Sequence, residues 1–81
     1  MISLGSNGNL GQQGQLPWMG SDTHIQYPSV STCITITCVV GDTLVGCHLF
    51  ARNSTAKMDE SLAAFAKIAK NATAILIAGV F

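Results

Sequence analysis

Three side chains near the middle of this chain have the types needed for acyl chemistry: the thiol of Cys33, the hydroxyl of Thr35 and the imidazole of His48. A free thiol is mostly protonated at neutral pH, and a neighbouring imidazole can take its proton to leave a strong nucleophile. The thiolate then attacks a carboxamide carbon, ammonia leaves, and water releases a carboxylate. In that scheme His48 is base and then acid. Thr35 orients the ring, and backbone N–H groups near Cys33 receive the oxyanion. The expected catalytic set is Cys33, His48 and Thr35, with no cofactor and no metal.

A β-hairpin is what would bring these residues together. Residues 33–40 are almost all β-branched or apolar, and so are residues 43–50 apart from Gly46 and His48. Gly41 and Asp42 between them suit a two-residue type I′ or II′ turn. Val40 then pairs with Thr43, Cys38 with Val45, Ile36 with Cys47, Thr35 with His48 and Ile34 with Leu49. One face becomes a core of Ile34, Ile36, Cys38, Val40, Val45, Cys47 and Leu49. The opposite face carries Cys33, Thr35, Thr37, Gly46, His48 and Phe50. Cys33 lies diagonal to His48 there, and such neighbours are roughly 7–8 Å apart at Cα. Cys33 is expected to be exposed, whereas Cys38 and Cys47 read as buried packing residues.

The flanking sequence predicts an α+β fold in which the hairpin is followed by a helix and a parallel strand, in the order β-β-α-β. Residues 1–29 read as a flexible or extended arm rich in Gly and Gln, in which the first residues could start a short strand and Leu16, Pro17, Trp18 and Met19 form an apolar knot. Residues 30–81 read as the small α/β domain. Asp59 is the expected helix N-cap, with Met58 stapled against Ala63. Leu62, Phe65, Ala66 and Ala69 recur as an apolar stripe, and Asn71 is a left-handed stop. Residues 74–80 form a continuous apolar run, which predicts a strand covered on both faces. A right-handed crossover would set it parallel to residues 43–50. The apolar ending at Val80 and Phe81 is what a segment of a longer protein would present.

Eighty-one residues with zero formal net charge and 10% charged residues carry no clustered-cation footprint for nucleic acid. Low charge with 48% hydrophobic residues predicts a homo-oligomer or a protein partner. No apolar run reaches the length of about 20 residues that a membrane span needs. No basic region followed by an apolar core marks a signal peptide, and three cysteines without framework spacing suit reduced thiols in the cytoplasm. The sequons Asn53-Ser54-Thr55 and Asn71-Ala72-Thr73 are then chance matches.

Ser31, Thr32 and Cys33, the β-branched strand, the Gly41-Asp42 turn and the strand bearing His48 together resemble the bacterial cysteine–histidine glutamine deamidases. These include the cytotoxic necrotizing factor catalytic domain and the chemotaxis deamidase. In the toxins a Ser-Gly-Cys run stands where this chain has Ser31-Thr32-Cys33, so Thr32 takes the glycine's place. The resemblance spans about residues 31–80 and implies a cysteine-dependent amidase or deamidase acting on an amide substrate. A shorter likeness, Gly11, Gly14, Leu16, Pro17 and Trp18, resembles a loop of dihydrofolate reductases, but the carboxylate-bearing helix of that family has no counterpart here. The other functional class is a non-catalytic module that self-associates or docks on a partner.

Overall fold

The computed structural model describes residues 1–6 and 18–79, so most of the reductase-like loop lies outside the described residues. The elements are β1 (Ile2–Ser3), β2 (Met19–Asp22), β3 (Ile25–Gln26), β4 (Cys33–Val40), β5 (Thr43–Phe50), α1 (Thr55–Ile68) and β6 (Ala74–Gly79). Strand and helix are mixed, as an α+β chain requires. The order is not β-β-α-β, because three strands precede the hairpin. They are short and lie among Gly, Ser and Asp, where intrinsic strand preference is low. Their pairing is set by tertiary partners rather than by local sequence.

The hairpin runs without a break from Cys33 opposite Phe50 to Val40 opposite Thr43. Gly41 takes φ 61° and Asp42 stays at negative φ, the pattern of a type II′ turn. β2 adds to the outer edge of β5, with Met19 opposite Cys47 and Gly20 opposite Gly46. β6 adds antiparallel to β4, so the sheet order is β2-β5-β4-β6. β6 therefore runs in the same direction as β5, with β4 between them.

One face of the sheet forms the core. Ile36, Cys38, Val45, Cys47 and Leu49 cluster there with Phe65 of α1, and Trp18, Met19, Ile34, Met58 and Ala69 pack around them. The helix starts earlier than Asp59 would allow. Ser54 is its N-cap, and its hydroxyl accepts from the Lys57 N–H at 3.2 Å. Serine and aspartate are comparable caps, and the earlier start adds the turn that carries Met58, which packs against the core. The helix closes before Asn71, which takes φ 68°.

The buried helix face also differs from the apolar stripe. Ser61 and Phe65 are buried, whereas Leu62 is 40% exposed. The helix is seated chiefly over β5, leaving the β6 side of the same face open. Every residue of β6 is exposed as a result, contrary to the two-sided cover that its apolar run predicts.

Phe65 is the one large apolar side chain that α1 buries. Phe65→Ala is expected to cost about 3–5 kcal/mol by cavity formation. Urea unfolding checks this, and a loss below about 1 kcal/mol would mean that the helix is held elsewhere.

Candidate thiol–imidazole site

The site face of the sheet lies opposite α1. The β4–β5 ladder puts Cys33, Thr35 and Thr37 on this face, together with Gly46 and His48. A second layer covers part of it. β1 and β3 pair in parallel, with Ile2 N–H donating to the His24 carbonyl at 3.1 Å and Leu4 N–H to the Gln26 carbonyl at 2.9 Å.

Two glycines make room for that layer. Gly20 and Gly46 are cross-strand partners, so they form a bare shelf across β2 and β5. A Cβ on Gly20 would come within 3.2 Å of the Ile2 Cδ1. A Cβ on Gly46 would collide with the Tyr27 hydroxyl and with Ile25 Cδ1. Tyr27 lies across the shelf, its hydroxyl 2.7 Å from Thr37 Oγ1 and donating to the Ile36 carbonyl at 3.2 Å. Its ring meets that of His48 edge-on, with centroids 5.8 Å apart and planes at 84°.

His48 is wholly buried. Its Nδ1 is 2.8 Å from the Leu4 carbonyl oxygen. A carbonyl oxygen only accepts, so Nδ1 carries the proton. In the neutral ring Nε2 then keeps its lone pair, and it has no hydrogen-bond partner among the described residues. A buried nitrogen without a partner is uncommon and calls for an explanation.

Cys33 is 2% exposed and its thiol donates to the Ser31 carbonyl at 3.0 Å. This corrects the expectation of an exposed thiol: at the start of β4 the side chain is covered and turned back onto the Ser31 carbonyl. Thr32, just before it, has φ 55°. A β-branched residue in the left-handed region is strained, at a cost of order 1–3 kcal/mol. The chain holds it there by the bond from Ala51 N–H to the Thr32 carbonyl, 2.9 Å. Thr35 stands opposite the His48 ring, and its hydroxyl donates to the Ala78 carbonyl at 3.4 Å. The hydrogen-bond partner of the ring is Leu4.

Cys38 and Cys47 lie on the other face, in the core. Burial raises the Cys38 thiol and pushes the Cys47 thiol up to about 12. Burial also raises the Tyr27 phenol, against the lowering effect of its bond to Thr37. The described residues contain no cluster of His, Cys, Asp and Glu able to hold a metal ion, and none of their helices is long and apolar enough to cross a membrane.

The sequence gives no sign of Leu4 as the partner of the ring, because that contact is made by a backbone carbonyl. Gly46, alone among β-branched and apolar neighbours, is the mark of a close approach that could have pointed to the covering layer. Compared with protein-family models, curated proteins and solved structures, the chain has no significant match.

The raised groups predict alkaline sensitivity. Cys47, Cys38 and Tyr27 are neutral when protonated, and each is raised in the folded state. Their contribution is intact below the unfolded values, about 8.5 for Cys and about 10 for Tyr. It is lost as pH rises toward the folded values. The urea midpoint should hold steady from pH 7 to 8 and fall above about 8.5, with a shallower fall in Cys47→Ala. An identical slope in that variant would contradict the assignment.

Proposed function

We propose that the chain is a cysteine-dependent amidase or deamidase in which Cys33 is the nucleophile and His48 the base. The observation that carries this reading is the state of the imidazole. It is fully buried, tethered through Nδ1 to Leu4 and, among the described residues, unengaged at Nε2, on the same face as a thiol that follows a strained residue. The large majority of buried polar side-chain atoms have a hydrogen-bond partner. A base needs one nitrogen held and the other bare.

The reaction begins with the thiol leaving the Ser31 carbonyl and passing its proton to Nε2. The sulfur adds to the carboxamide carbon, and the oxyanion is received by backbone N–H groups at the start of β4. His48 returns the proton to the departing ammonia. Water, deprotonated by His48, then cleaves the thioester to a carboxylate and restores the thiol. The carbonyl of Leu4 replaces the hydroxyl of Thr35 as the group that orients the ring, and Thr35 packs opposite it.

The strained Thr32 supports the likeness to the glutamine deamidases. Their glycine at this position tolerates the positive φ that Thr32 adopts here. A second reading, a non-catalytic module that self-associates or binds a partner, is favoured by the exposed apolar β6.

Iodoacetamide, itself a small carboxamide, tests the proposal. Cys33 should be alkylated at least about tenfold faster than Cys38 and Cys47 in the folded protein. His48→Gln should slow that labelling with the fold kept. Cys33→Ser should abolish ammonia release from glutamine peptides. Equal labelling of the three thiols, or a His48→Gln rate equal to wild type, would remove the enzyme reading.

A further inference from the structure

We propose that β6 is the seat of a second copy of this chain: two β6 strands pair edge to edge, antiparallel, about a two-fold axis through Leu76. The inference stands apart from the thiol–imidazole reading and does not depend on it.

The two edges of the sheet differ. β2 forms one edge, is four residues long and ends on the charged Asp22. β6 forms the other edge, is six residues long and has no charge or proline from Ala72 to Gly79. Charges, prolines and shortness are what keep sheet edges from pairing with other chains. β2 has two of these protections and β6 has none. Among the described residues nothing pairs with the outer edge of β6.

The side chains of β6 are also unprotected. Ile75, Leu76 and Ile77 are 63%, 68% and 62% exposed, and they point to alternate faces. Ile75 and Ile77 face the α1 side, where with Leu62, Phe65 and Ala66 they line an open apolar groove of about 590 Å³. A strand that is apolar on both faces needs cover on both. A helix docking on one face would leave Leu76 in water, whereas a strand added at the edge extends both faces at once.

A second copy fits that edge by symmetry. A two-fold axis perpendicular to the sheet keeps the two faces distinct, so a residue must pair with one of its own face. Centred on Leu76, the pairing sets Leu76 against its copy, Ile75 against Ile77 and Ala74 against Ala78. Every pair joins like with like. The two apolar grooves then share one floor, made by Ile75 and Ile77 of both copies. Zero formal net charge means that no overall repulsion opposes the approach.

Light scattering at tens of micromolar should find the wild type as a dimer. Leu76→Lys places two ammonium groups on the axis and should weaken association at least tenfold. Its circular dichroism should be unchanged, because Leu76 is exposed in the protomer. Leu76→Cys should form a disulfide-linked dimer under mild oxidation, since paired strands hold such residues about 4.5–5.5 Å apart at Cα. The wild type under the same oxidation sets the background from its own three thiols, and the variant should cross-link well above it. A monomeric wild type would overturn the proposal and leave the face to a different protein. A dimer indifferent to Leu76→Lys, or one in which Leu76→Cys fails to cross-link, would overturn it equally.

Discussion

The register of β4 against β5 is the constraint on which the rest depends. A slip of one residue would turn Ile36, Cys38, Val45 and Cys47 out of the core. It would also move His48 away from Leu4 and Tyr27. Gly41, at φ 61°, fixes that register at the turn. The backbone of β5 is then buried on both sides, by α1 beneath and by the β1–β3 layer above. This is why the run Val45 to Leu49 is buried at every position, including its glycine and its histidine.

A buried imidazole on an otherwise apolar strand is costly unless its polar atoms are satisfied. Here one nitrogen is satisfied and, among the described residues, the other has no partner. The glycine shelf explains how the covering layer comes close enough for the Leu4 carbonyl to reach Nδ1. The same closeness holds Tyr27 edge-on to the ring. Strain at Thr32, a thiol on a carbonyl and a buried imidazole nitrogen without a partner among the described residues all occur along the β4–β5 ladder. Local rules are most often broken at functional sites, and several are broken together here.

The central hairpin was legible in the sequence because alternation, β-branching and a two-residue glycine turn all point the same way. The face shared by Cys33, Thr35 and His48 followed from that pattern. What was not legible has a common cause. β1, β2 and β3 have weak local preference and exist through contacts made far along the chain. Ser54 and Asp59 are both competent caps, and only packing selects the first. Phe65 was read correctly as a buried anchor and Leu62 was not, because the helix sits to one side of the sheet. That offset also leaves β6 bare, and no periodicity within residues 74–79 could reveal it.

The tautomer of the His48 ring decides which of its nitrogens is free. Nitrogen-15 NMR of the imidazole, at a pH where the ring is neutral, distinguishes its two tautomers. The expected result is a proton on Nδ1, held by the Leu4 carbonyl, and none on Nε2. A proton on Nε2 would mean that the carbonyl of Leu4 does not hold the ring and that the nitrogen required by the proposed reaction is not free to take a proton.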